Sequence, residues 1–216
     1  MSEWRRVEGF SRSLSLAVGV SDGVVGGDPV GDVRVRVAES DEHPIRNRGG
    51  YYLFFDLPQE PVTVTVDGGD RYRDASTTVN LDPVAADTHD AGEAVAVSLE
   101  PTPAYPFPAG LTRVRGTLLD GTTPVGGATV GVTDHPRTVT TTDAGEFVYY
   151  FDAVDPADVE RVDPDPTDDD PGRRLYRPGG SDPTFEVSDS PDGSLAGFQT
   201  VVEVRVGTLT ARDLTY

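Results

Sequence analysis

Thr123-Pro124-Val125-Gly126-Gly127-Ala128-Thr129-Val130-Gly131-Val132, followed after nine residues by Thr142-Asp143-Ala144-Gly145-Glu146-Phe147, is the stretch that decides the fold. It runs from a Pro/Gly turn into a valine strand, then through an Asp/Gly turn into an aromatic strand, which is the grammar of antiparallel hairpins. The same order occurs once before. Shifted by 95 positions, Pro29, Val30, Gly31, Val35, Val37 and Gly50 fall on Pro124, Val125, Gly126, Val130, Val132 and Gly145, and Tyr52, Phe54 and Phe55 fall on Phe147, Tyr149 and Tyr150. Placement of turns and strands in one order, rather than the number of identities, makes this an internal repeat.

Outward from the repeat, strand signals dominate and helical periodicity is nearly absent. In the first half, strands are expected over residues 13–20, 32–38, 51–56, 62–67, 76–81 and 94–100. In the second half they are expected over 112–119, 128–133, 138–142, 146–151, 184–187, 198–206 and 209–216. Val33, Val35 and Val37 share one face and Arg34 and Arg36 the other, and Val62, Val64 and Val66 alternate with Thr63 and Thr65 in the same way. Strands with one wet face imply antiparallel sheets, and many short strands between Gly and Pro turns imply β-sandwiches. Pro101-Thr102-Pro103-Ala104-Tyr105-Pro106-Phe107-Pro108 favours extended, ladder-breaking geometry and reads as a linker. The expected layout is an N-terminal arm (1–10), a first sandwich (11–100), a Pro-rich linker (101–108) and a second sandwich (109–216). The last is interrupted by an acidic insertion (152–180), read as a surface loop or disordered segment because alternating Asp and Pro cannot bury apolar area.

The quoted turns, with the closing stretch Val202 to Tyr216 around Gly207-Thr208, resemble the carboxypeptidase regulatory-like family. The first half resembles it through Gly50-Tyr51-Tyr52-Leu53-Phe54-Phe55-Asp56-Leu57-Pro58, and departs where Arg48-Gly49-Gly50 replaces the Asp-containing turn. The resemblance implies an all-β fold of two tandem antiparallel, transthyretin-like β-sandwiches. Such modules are appended to many proteins, so it says little about function. The zinc peptidase domain of the namesake enzymes has no counterpart in this sequence.

Composition sets the remaining limits. Of 216 residues, 18 are Lys+Arg and 37 Asp+Glu, giving net charge −19; all 18 basic residues are Arg, and Asp outnumbers Glu by 26 to 11. That pattern resembles salt-accumulating haloarchaea, where ~1 M salt shortens the Debye length to ~3 Å and screens self-repulsion. A polyanionic nucleic acid is no fitting partner for such a surface. No apolar run reaches the ~18 residues of a membrane span, and no apolar segment follows Met1-Ser2-Glu3, so a cytoplasmic location without a secretory signal is expected. With no cysteine, thiol chemistry, disulfides and Cys-based zinc sites are excluded.

No catalytic, cofactor or metal residue is assigned. His43, His89 and His135 are dispersed in polar stretches and are expected as exposed turn residues. Asp163, Asp165, Asp168, Asp169 and Asp170 form either a solvated insertion or a weak Ca²⁺ site, without the EF-hand pattern. The absence of a Gly-x-Ser-x-Gly elbow or a phosphate loop argues against an enzyme. The expected role is a structural or adaptor protein that binds other protein subunits, by strand addition and through aromatic contacts. Its contact candidates are Trp4, Arg5 and Arg6 in the arm, Tyr51 and Phe55, the linker aromatics Tyr105 and Phe107, and Tyr149 and Phe151. Resemblance to components encoded beside phage-tail-like contractile injection systems of haloarchaea extends that reading to a particle subunit. The alternative is a carbohydrate or other ligand-binding module using Tyr149, Phe151 and Tyr176.

Overall fold

The computed structural model describes residues 12–81, 94–162 and 173–216. Trp4, Arg5, Arg6, His89 and the Asp163 to Asp170 cluster lie outside the described residues. The chain divides into two compact units, Met1–Glu100 and Pro101–Tyr216.

The first unit contains β1 (Leu14–Asp22), β2 (Arg34–Val37), β3 (Ile45–Arg46), β4 (Tyr52–Phe55), β5 (Pro61–Asp67), β6 (Ala75–Asn80) and β7 (Val95–Leu99). Two sheets form, in the orders β3-β4-β1-β7 and β2-β5-β6. Their inner faces follow the period-two pattern: Leu16, Val18 and Val20 of β1 are buried, as are Val62, Val64 and Val66 of β5, while the residues between them are partly exposed. Where the chain leaves β1, Asp22 is only 2% exposed. Its Oδ2 accepts the Tyr72 hydroxyl at 2.8 Å, its Oδ1 accepts the Val24 N–H at 2.7 Å, and the Tyr72 oxygen accepts the Val30 N–H at 2.8 Å. A buried carboxylate is tolerated there because hydrogen bonds surround it.

The second unit contains β8 (Arg113–Asp120), β9 (Thr123–Pro124), β10 (Thr129–Val132), β11 (Thr138–Thr140), β12 (Glu146–Tyr150), β13 (Val159–Val162), β14 (Arg173–Tyr176), β15 (Thr184–Asp189), β16 (Gln199–Val201), β17 (Val204–Arg205), β18 (Leu209–Ala211) and β19 (Leu214–Thr215). Its principal sheets are β11-β10-β15-β16 and β12-β8-β18, with β9 and β19 also on β8. Phe147, Tyr149, Phe151 and Phe185 fill the core between them.

The two units share one topology. β1 lies between an antiparallel aromatic strand, β4, and a parallel closing strand, β7; β8 lies likewise between antiparallel β12 and parallel β18. β2 and β10 each pair antiparallel with the first principal strand after the aromatic one, β5 and β15. The 95-residue shift maps Arg34–Val37 onto Thr129–Val132.

Several expectations change. The insertion contributes structure: β13 and β14 form a hairpin, β14 pairs with β17, and Leu175 and Tyr176 are buried. The acidic composition of its middle hid two flanking strands whose apolar residues do reach the core. The expected strand 198–206 is split into β16 and β17, and 209–216 into β18 and β19. Tyr105 is also buried, at 6% exposure, and Phe107 stacks against it with ring centroids 4.8 Å apart. The Pro-rich stretch thus packs within the second unit, because its aromatics supply apolar area that its prolines do not.

Candidate functional site

The outer face of β3-β4-β1-β7 gathers exposed hydrophobic residues of the first unit. On β4, Tyr52 and Phe54 take the inner side, leaving Leu53 and Phe55 on the outer one. A register shift between Leu14 and Leu16 places Leu14 opposite Phe55, and Ile45 stands opposite Leu53, which in turn faces Ala17. Leu14, Ile45 and Tyr51 are 56%, 54% and 41% exposed, three of the exposed large hydrophobic residues among those described. Gly19, Ala96, Ser21 and Ser98 continue the face without a charge.

Tyr51 is held by the hairpin before it. The Asn47 Oδ1 accepts the N–H groups of Gly49 (2.9 Å) and Tyr51 (3.0 Å), and Gly50 takes φ +85°, a conformation that favours glycine. The Tyr51 ring then lies over Gly19, where a Cβ would come within 3.1 Å of it. Beside the ring is a cavity of about 280 Å³ lined in part by Gly19, Ser21, Asp28 and Ala96.

Charges gather at the rim. Arg12 lies 5.5 Å from the Phe55 ring centroid and pairs with Glu42 at 2.8 Å and Asp56 at 3.1 Å, while Arg46 pairs with Asp28 at 3.4 Å. The Ser13 N–H and then Arg12 hold the Asp56 carboxyl below its usual range. An uncharged centre with a charged rim is the anatomy of a protein contact.

In the second unit the corresponding aromatic strand is covered on both sides. Tyr149 and Phe151 are buried at 0% and 1%, so neither presents a contact, and Tyr176 is buried with them. A carbohydrate platform built from these three is thereby overturned: Phe151 meets Tyr176 edge-on at 4.8 Å inside the core. On the other side Phe107 packs on Tyr150 (5.6 Å) and Arg113 lies over Phe107 (5.4 Å). Arg137 stacks on the Tyr150 ring with its Cζ 3.8 Å from the centroid, and its Nη2 donates to Asp152 Oδ1 at 2.6 Å. Tyr105 is likewise unavailable, whereas Phe107 stays half-buried.

His135 differs from the expected exposed turn residue. It is half-buried, with Nδ1 2.9 Å from the Tyr149 hydroxyl, and its ring meets Phe151 edge-on at 5.3 Å. Burial lowers its pKa, opposed by Asp152 and assisted by Arg137, and burial raises that of Tyr149. The pair gives the buried phenol a partner beside the Arg137 carbonyl, which accepts the Tyr149 hydroxyl at 3.2 Å. His43 is exposed, its Nδ1 3.2 Å from the Asp41 carbonyl. Among the described residues no group of three or more His, Asp or Glu is placed to hold a metal ion.

The structure therefore brings together Tyr51 and Phe55 of the sequence-derived candidates, and adds Leu14, Ile45 and Leu53. Alternation on β4 pointed to Leu53; Leu14 depends on the register shift, for which the sequence carries no signal.

No family model and no curated protein matches the chain. Among solved structures it is similar to the Bacillus anthracis TIE protein, at 12% identity over 94% of this chain and 34% of that one, with a TM-score of 0.28. It is also similar to GBS52, the minor pilin of Streptococcus agalactiae, at 9% identity over 93% and 94%, with a TM-score of 0.29. The chain thus spans about a third of the TIE protein chain. Likeness at these scores carries no argument about function.

Proposed function

We propose that this chain is a non-enzymatic structural or adaptor protein that joins other protein subunits, with the outer face of β3-β4-β1-β7 as its principal contact. The observation that carries this reading is the uncharged patch of Leu14, Ile45, Tyr51, Leu53 and Phe55 on a chain of net charge −19. Large apolar residues gathered on one face are a docking signal, whereas scattered ones are not. Trp4, Arg5 and Arg6, outside the described residues, are proposed as a second contact, and Phe107 as a minor one.

The finer reading is two transthyretin-like modules in the high-salt cytoplasm of a haloarchaeon, serving a phage-tail-like contractile particle. The Arg-only, Asp-rich composition and the repeated turn motifs support it. Two measurements separate the levels. Tyr51→Arg and Ile45→Glu, both at exposed positions, are expected to abolish copurification of the partner from the native host while leaving the melting temperature within about 2 °C. Unchanged copurification would remove the patch from the reading. Absence of the chain from purified intact particles would remove the particle and leave the adaptor.

A further inference from the structure

Edge strands expose backbone donors and acceptors, and proteins ordinarily guard them with charge, Pro or shortness. In the first unit, β2 carries Arg34 and Arg36, and β3 is two residues long with Arg46. β6, Ala75-Ser76-Thr77-Thr78-Val79-Asn80, is six residues long and has neither charge nor proline.

The direction of its free groups follows from β5. The Thr63 N–H donates to Glu39 Oε2 at 2.8 Å and the Thr63 C=O accepts the Ala38 N–H at 2.9 Å, so both point away from β6. In an antiparallel ladder a residue directs its N–H and C=O to the same side. Thr63 stands opposite Thr78 and Thr65 opposite Ser76, so these are the non-bonded pairs of the β5–β6 ladder. Thr78 and Ser76 consequently turn N–H and C=O outward. Among the described residues, those outward groups meet no other strand. β7 is uncharged as well, but at its end the Glu100 carbonyl accepts the N–H of Arg73, in the segment leading into β6, which covers part of its outer edge.

We infer that β6 pairs antiparallel with β6 of a second copy of this chain, about a twofold axis at Thr77. That register opposes Ser76 to Thr78 of the other copy, and Thr78 to Ser76, each pair exchanging two backbone hydrogen bonds. Thr77 meets Thr77, a favourable cross-strand pair, and Ala75 meets Val79 on the inner face. Asp74 falls opposite Asn80, so no like charges face each other. This neutrality is what selects a second copy as occupant. In a twofold contact a charged edge meets its own charge, so two chains of −19 meet with least repulsion along an uncharged strand. The resulting sheet, β2-β5-β6 continued by its symmetry mate, has six strands.

Sedimentation of the full chain, from low salt to about 2 M salt, tests the assignment, since added salt removes the mutual repulsion. A monomer–dimer equilibrium that strengthens with salt is expected, together with concentration-dependent slowing of hydrogen exchange at Ser76 and Thr78. Thr78→Pro deletes one outward N–H and leaves the β5 ladder intact, and is expected to weaken dimerisation roughly tenfold or more. Thr78→Arg keeps the N–H, sits at an exposed position, and sets two cations diagonally across the axis. It is expected to weaken dimerisation as well, and tests the same contact should the proline variant fail to fold. A chain that stays monomeric at every salt concentration overturns the inference, and so does a dimer that a folded Thr78 variant leaves undiminished.

Discussion

Two buried hydroxyls illustrate how single residues decide whether polar groups can enter these cores. Tyr72 reaches Asp22 and Tyr149 reaches His135, and each phenol is placed where its ring fills apolar space and its oxygen finds a partner. The second pair has a pH signature. Because burial depresses the folded-state pKa of His135, the unfolded chain binds the extra proton first as pH falls. Its stabilising contribution is complete above the unfolded value of about 6.5 and is lost as pH drops through the lower folded-state value. The melting temperature should therefore decline over that window, and His135→Gln should flatten the decline in pH-resolved calorimetry; identical slopes would count against this account. The sequence marked His135 as polar turn chemistry only, since nothing local to His135 announces that Tyr149 will arrive from another strand.

At the scale of the element, β8 is the constrained strand of the second unit, because β12, β9, β18 and β19 all pair with it. The chain passes from β18 to β19 directly over Gly116, so close that a Cβ there would overlap the Arg212 carbonyl. Replacement by alanine must push the closing segment off β8, where Arg212 N–H donates to Arg115 C=O at 2.9 Å and Asp213 Oδ1 accepts the Thr117 N–H at 2.8 Å. Gly116→Ala is expected to cost on the order of 3 kcal/mol in denaturant unfolding. A loss under ~1 kcal/mol would show that the crossing relaxes freely. Strand positions such as β2, β5 and β12 were legible because alternation is written in consecutive residues. The breaks between β16 and β17 and between β18 and β19 were not, since they arise where one segment changes partner. β13 and β14 were hidden for a related reason: each is four residues long beside an acidic stretch, and only their pairing with each other and that of β14 with β17 marks them as strands.

Over the whole molecule, charge is the dominant variable. With 37 acidic against 18 basic residues, stability should rise on going from dilute buffer to molar salt, as repulsion that extends ~10 Å at 0.1 M is cut to ~3 Å. Calorimetry across that range checks it, and a melting temperature that falls with salt would contradict the screening argument. The duplicated all-β plan was determined by sequence alone: turn chemistry and period-two alternation are local, and a 95-residue repeat of both is visible without coordinates. Tertiary structure alone decided which aromatics face outward. Phe55 and Tyr150 fall on one another in the repeat, yet Phe55 stays partly exposed while Tyr150 is buried beneath Phe107 and Arg137. Exposure depends on what the rest of the chain lays across a strand, and that covering comes from residues far away in sequence.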